Sequence, residues 1–157
     1  SASIAVSSSI AVSNSCGNRA DLPMLIIYGS SDRTTPYDGS SSYDGFFYEP
    51  ASKLFDNWAN GMNCSDKLIT SNLKFAKEKG LICTKRNECT SSQHEVQICE
   101  IQGGGHYWPG QNESVGFCAD SLQNDNVQFF NECKQDYKEL NWGNELIWDF
   151  LKRHQRT

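Results

Sequence analysis

The sequence has no long apolar run and no surplus of positive charge, and each absence excludes a class of protein. No segment approaches the roughly 20 apolar residues of a membrane-spanning helix, so a membrane is not expected as a partner. The 14 Lys and Arg residues are outnumbered by 19 Asp and Glu residues, giving a formal net charge of −5, and no run is rich in Lys or Arg. Nucleic acid, which needs clustered positive charge, is likewise not expected as a partner.

The sequence also lacks a Cys-x-x-Cys pair, although it contains seven cysteines: Cys16, Cys64, Cys83, Cys89, Cys99, Cys118 and Cys133. So many cysteines favour disulfides in an oxidising compartment over redox chemistry, and we expect a secreted protein. Zinc ligands could gather only at Cys83, Cys89, His94 and Cys99, whose spacing matches no common zinc finger, so we expect no metal and no other cofactor. The odd number of cysteines indicates a free thiol or a partner outside the chain. Asn63 and Asn112 each begin an N-x-S sequon, which fits a secreted glycoprotein.

A chain of 157 residues with 38% hydrophobic residues can bury one domain's core. Strands are predicted near residues 4–6, at 23–28 and at 94–102, and helices at 51–60 and 144–154. The run at 23–28 is continuously apolar, which is typical of a strand buried on both faces in a parallel sheet. Residues 66–89 are ambiguous between short extended pieces and loop. Strands alternating with helices predict an α/β fold, in which chemistry lies in loops at the carboxyl ends of strands.

Two loops follow strands in this way and carry side chains suited to acid–base chemistry. Gly-Ser-Ser-Asp32 follows the strand at 23–28, and Gly-Gly-Gly-His106 follows the strand at 94–102. An acid followed later by a histidine is the chain order of a Ser-His-Asp triad in α/β hydrolases. Asp32 would then orient the imidazole of His106, which would take the proton of the nucleophile. The alternative for Asp32 is a turn residue that binds its own loop backbone.

Four segments of the chain resemble the second half of the secreted polyhydroxybutyrate depolymerase and feruloyl esterase family. They are YGSSDRTTPYDG at 28–39, WANGMNC at 58–64, EVQICEIQGGGHYWPG at 95–110 and ELIWDF at 145–150. The resemblance implies the C-terminal part of an α/β-hydrolase three-layer sandwich, with a mostly parallel sheet and flanking helices, spanning residues 1–157 of a single catalytic domain. It also implies ester hydrolysis through an acyl-serine intermediate, with Asp32 as the triad acid and His106 as the base.

Further expectations follow from this resemblance. Cys64 and Cys89 are similar to a pair of cysteines that frame an excursion between core strands, so they are expected to form a disulfide. Tyr107 and Trp108 could line the substrate entrance, although Trp108 could equally anchor its turn in the core. The expected substrate is an ester, with a polyester and a feruloylated or acetylated polysaccharide as the alternatives.

The chain departs from the family in one respect, because no G-x-S-x-G nucleophile motif occurs in it. The serine and its oxyanion hole are therefore expected in an upstream half, and the 157 residues alone are expected to hydrolyse nothing. The second hypothesis is a non-catalytic secreted binding module derived from a hydrolase half. It would bind carbohydrate or a protein through exposed aromatic residues, for which the candidates are Tyr37, Tyr43, Phe46, Phe47, Tyr48 and Trp108.

Overall fold

The computed structural model describes residues 3–6, 22–43, 45–71, 80–106, 108–109 and 142–154. These residues form a five-stranded sheet with a helix on each face. The strands are β1 (Ser3–Val6), β2 (Met24–Gly29), β3 (Ile69–Thr70), β4 (Leu81–Arg86) and β5 (Val96–Ile101), and the helices are α1 (Ala51–Gly61) and α2 (Trp142–Arg153). The strand order across the sheet is β1-β2-β5-β4-β3.

Strand β2 lies inside the sheet and is parallel to both of its neighbours, β1 and β5. Its residues Met24, Leu25, Ile26 and Ile27 are each no more than 4% exposed. Because successive side chains of a strand point to opposite faces, burial of all four means that both faces of the sheet are covered. The predicted buried parallel strand at residues 23–28 is therefore confirmed.

The two helices cover opposite faces of the sheet. Leu54 and Phe55 of α1 pack with Ile26 on one face, and Leu146 and Phe150 of α2 belong to the core cluster on the other face. Both predicted helices are confirmed, with boundaries that shift by one or two residues. The start of α2 lies directly against the chain that follows the histidine turn, since a Cβ at Gly143 would overlap the backbone of Pro109.

The prediction of a mostly parallel α/β-hydrolase sheet is wrong. In the described part of the chain, β1 and β5 pair with β2 in parallel, but β4 pairs with β5 and β3 with β4 in antiparallel fashion. A parallel pairing needs a crossover of about a dozen residues or more. The connection from Arg86 to Val96 contains only the nine residues 87–95, and no helix lies in it. Half of the pairings are thus antiparallel, and the layout is a mixed sheet.

Two disulfides lie within the described residues. One joins Cys64, just after α1, to Cys89 in the β4–β5 connection, which is the pairing that the family resemblance implies. The other joins Cys83 to Cys99, which lie directly opposite each other on β4 and β5. This second bond could not be predicted from the sequence, because the pairing depends on the register of two strands. The remaining cysteines, Cys16, Cys118 and Cys133, lie outside the described residues. Neither described helix is long and apolar enough to span a bilayer.

Ion pairs around the buried side chain of Glu95 connect the end of α2 to the start of β5. The carboxylate of Glu95 lies 2.7 Å from Lys85 Nζ, 2.9 Å from Arg153 and 3.3 Å from His154 Nε2. Burial raises the pKa of Glu95, but hydrogen bonds from His154 and Lys85 and the charge of Arg153 outweigh it and lower that pKa to about 2. Glu95 is therefore ionised at neutral pH, and its charge is compensated by neighbours on two other elements.

Candidate acid–base site

Asp32 and His106 follow two strands that are parallel neighbours. Gly29, the last residue of β2, lies opposite Ile101, the last residue of β5. Because the two strands run in the same direction, their carboxyl ends meet at one edge of the sheet. The turns that follow them are therefore placed side by side, as the sequence analysis expected for these two loops.

Backbone hydrogen bonds join the turn after β2 to the turn after β5. Ser30 N–H donates to Ile101 O at 3.0 Å, and Ser31 N–H donates to Gly104 O at 2.8 Å. The Ser30 hydroxyl in turn accepts a 2.8 Å hydrogen bond from Gly103 N–H. The turns approach so closely that a Cβ at Gly29 would overlap the carbonyl of Gly104. Only glycine fits at the end of β2, and the spacing between the two turns is fixed by backbone contacts.

The carboxylate of Asp32 is buried, and both of its oxygens have hydrogen-bond partners. Its side chain is 1% exposed. Oδ1 accepts hydrogen bonds from the backbone N–H groups of Thr34 and Thr35, at 2.9 and 2.8 Å. Oδ2 lies 2.9 Å from Nδ1 of His106. The two interpretations of Asp32 from the sequence are therefore compatible, because one oxygen organises its own turn and the other binds the imidazole.

The hydrogen bond to Asp32 sets the chemistry of His106. Since a carboxylate only accepts, Nδ1 of His106 carries the proton, and Nε2 is the acceptor nitrogen of the neutral ring. The hydrogen bond and charge of Asp32 raise the pKa of His106 above its ordinary value of 6.5, against the opposing effect of burial. The side chain of His106 is 31% exposed, whereas that of Asp32 is almost inaccessible. An oriented, partly exposed imidazole backed by a buried carboxylate can accept a proton and be stabilised as a cation.

A cavity of about 390 Å³ borders Asp32, the acid of this pair. It is formed by residues of the segment 30–43, and Asp32 is part of its wall. Its size is within the range of roughly 300–1,000 Å³ that is usual for small-molecule sites. Most of the other lining residues are serines and tyrosines, so the cavity combines hydroxyl groups with aromatic rings.

The sequence also suggested two residues at a substrate entrance and two glycosylation sites. Trp108 is 38% exposed in the chain that follows His106. Tyr107 and Asn112 lie outside the described residues. Asn63 is exposed, and its side-chain amide donates a 3.2 Å hydrogen bond to the hydroxyl of Thr90.

The groups that support the Asp32–His106 pair were not predicted from the sequence. The Ser30 hydroxyl and the two threonine amides hold the loops and the carboxylate. The sequence Asp-Arg-Thr-Thr is compatible with an Asx-type turn, which is the one signal that could have indicated the bonds to Asp32. Nothing in the sequence indicates that Ser30 reaches the turn after β5, 73 residues along the chain.

Within the described ranges, no three His, Cys, Asp or Glu side chains gather as metal ligands. The chain matches no family model and no curated protein.

Proposed function

We propose that Asp32 and His106 are the acid and the base of a Ser-His-Asp triad in a secreted carboxylic ester hydrolase. The observation that carries the proposal is the 2.9 Å contact between Nδ1 of His106 and the buried carboxylate of Asp32. The resemblance of the GGGHYWPG and YGSSD segments to the polyhydroxybutyrate depolymerase and feruloyl esterase family supports the same reaction. Disulfides form mainly in oxidising compartments, so the two observed bonds support secretion.

In this mechanism His106 moves protons at Nε2 while Asp32 holds Nδ1–H. The imidazole takes the proton of the serine hydroxyl as its oxygen attacks the ester carbonyl, and the resulting imidazolium is stabilised by Asp32. Nε2 then gives that proton to the leaving alcohol, which departs and leaves the acyl-serine. In the second half His106 takes a proton from water, whose oxygen attacks the acyl carbon. The proton returns to the serine oxygen as the carboxylic acid leaves.

The serine of the triad is proposed to lie outside these 157 residues. A nucleophilic serine in such enzymes sits on a sharp turn between a strand and a helix, within G-x-S-x-G. No serine of this sequence occurs in that motif. Ser30 and Ser31 lie close to Asp32 but outside such a motif, and the Ser30 hydroxyl accepts a hydrogen bond from Gly103 N–H in the contact between the two turns.

The test is ester hydrolysis by the longest natural chain that contains this sequence. Methyl ferulate, acetylated xylan and hydroxybutyrate oligomers would be compared as substrates. His106→Ala is expected to lower kcat by about three orders of magnitude or more, because it removes the general base. His94→Ala replaces a histidine in the β4–β5 connection and is the matched control, with kcat expected to stay unchanged.

The pH dependence gives an independent check of the same assignment. The base acts only when neutral, so kcat/KM should rise with pH through the pKa of His106, which lies above 6.5. Ester turnover that survives His106→Ala would refute the assignment. Equal losses in two folded variants, His106→Ala and His94→Ala, would also refute it, since the loss would then not be specific to His106.

A further inference from the structure

We propose that Ser30 is a positioning residue for the reaction of the Asp32–His106 pair. Its hydroxyl accepts a 2.8 Å hydrogen bond from Gly103 N–H. Gly103 lies in the histidine turn, residues 102–106, which carries the base of the pair. This role rests on the proposed function, because it gives Ser30 an effect on proton transfer at His106. Ser30 produces that effect through the backbone of the histidine turn and without contact to the ester.

The acid of the pair is fixed by its own loop, whereas the base follows a turn with little conformational restriction of its own. Oδ1 of Asp32 accepts hydrogen bonds from the N–H groups of Thr34 and Thr35, which are neighbours in sequence. His106 follows three consecutive glycines, and glycine has the widest choice of backbone conformation of any residue. Gly103 uses this freedom, since its φ of 70° lies in the left-handed region. The path of the chain to His106 therefore depends on the hydrogen bonds that hold the glycines.

The loop after β2 holds these glycines at two points. Ser31 N–H donates to Gly104 O at 2.8 Å, and the Ser30 hydroxyl accepts from Gly103 N–H at the same distance. The first bond is made by the backbone, so every residue except proline would keep it at position 31. The second bond is made by a side chain. The identity of residue 30 therefore decides whether Gly103 N–H has this acceptor.

Two attachments from one loop control both the distance and the direction of the imidazole. Oδ2 of Asp32 lies 2.9 Å from Nδ1 of His106, and one bond of this kind leaves the ring free to tilt. Ser30 precedes Asp32 by two residues and holds the histidine turn three residues before His106. A hydrogen bond weakens steeply as its angle departs from linearity, so the second attachment keeps Nδ1–H aligned with the carboxylate. That bond is the main cause of the raised pKa of His106, which therefore reports on the alignment.

Two other roles for Ser30 have different consequences. Ser30 lines the cavity beside Asp32, and a hydroxyl that bound the ester there would lower KM. A bond that only stabilised the fold would change the free energy of unfolding and leave the pKa of His106 unchanged. A positioning residue instead changes that pKa and kcat together, because it acts on the alignment of the base.

The test compares Ser30→Ala with Ser30→Thr in the longest natural chain that contains this sequence. Alanine removes the acceptor of Gly103 N–H, whereas threonine keeps a hydroxyl on the same carbon. In NMR titrations, the pKa of His106 should fall toward 6.5 in Ser30→Ala and return toward the parent value in Ser30→Thr. For the best ester among methyl ferulate, acetylated xylan and hydroxybutyrate oligomers, Ser30→Ala should lower kcat about tenfold with KM unchanged. The loss is smaller than in His106→Ala, because the base is misaligned and not removed.

Ser31→Ala is the matched control, since it shortens the neighbouring serine and keeps the N–H that bonds Gly104 O. Its kcat and its pKa of His106 should equal those of the parent. The double variant Ser30→Ala/His106→Ala should turn over no more slowly than His106→Ala alone, because Ser30 acts through the imidazole. A further loss in the double variant would show an effect independent of His106 and would overturn the proposal.

The proposal also fails if Ser30→Ala leaves the pKa of His106 unchanged, raises KM at constant kcat, or behaves like Ser31→Ala. Failure of the proposed function has a different signature. Ester turnover that survives His106→Ala would refute the triad. A lowered pKa of His106 in Ser30→Ala would still show that Ser30 positions the imidazole against Asp32.

Discussion

Replacement of Gly29 by alanine tests whether the close contact of two turns holds the acid–base pair together. The new Cβ would overlap the carbonyl of Gly104 and lie 2.7 Å from the carbonyl oxygen of Gly105. Ordinary contact begins at 3.4 Å, so the second distance alone requires the turns to separate by about 0.7 Å. All of the obstructing atoms are backbone, and no side-chain rotation can relieve the overlap.

This separation has two measurable consequences. Overpacking of this kind costs about 1–3 kcal/mol of unfolding free energy. The same movement would pull the turn of Asp32 away from the turn of His106 and weaken the 2.9 Å bond between their side chains. The pKa of His106 should then fall toward its ordinary value of 6.5, because the hydrogen bond to Asp32 is the main cause that raises it.

Urea unfolding measures the first consequence, and an NMR titration of the imidazole measures the second. Ser31→Ala is the control, since it lies in the same turn and adds no atoms. An alanine at position 29 that leaves both the unfolding free energy and the pKa of His106 unchanged would show that the two turns are not in this contact.

Three further predictions concern other parts of the structure. Asp32→Asn should lower the pKa of His106, which an NMR titration measures, and an unchanged titration would contradict this. The raised pKa of His106 contributes stability that is complete below pH 6.5 and is lost as pH rises through that raised pKa, and Asp32→Asn should remove this contribution. Replacing Cys83 and Cys99 together by alanine opens a bond across 16 residues of sequence and should lower the unfolding free energy by about 3 kcal/mol in urea. Glu95, with a pKa of about 2 against 4.5 when unfolded, should contribute stability above pH 4.5 that is lost as pH falls toward 2. In Glu95→Gln, acid unfolding curves should lose that part of the pH dependence, and an identical curve would refute the contribution.

The candidate site could be located from the sequence because its two principal residues follow strong strand signals. The apolar run before Asp32 and the alternating run before His106 each predict a strand, and glycine-rich turns follow both. Their spatial proximity depends on β2 and β5 being parallel neighbours, which the apolar character of β2 favours. The groups that support the pair, such as the Ser30 hydroxyl, could not be identified because their partners are remote in sequence.

The local elements could be predicted from the amino-acid sequence: the buried strand β2, both helices and the two turns that carry Asp32 and His106. These features depend on side-chain periodicity and on glycine placement, which a chain expresses over a few residues. Three features are visible only in the folded chain: the direction of β3 and β4, the Cys83–Cys99 bond and the use of both oxygens of Asp32. Each of these depends on register between segments that are distant along the chain. A shift of one residue in that register would exchange the faces of a strand and part Cys83 from Cys99.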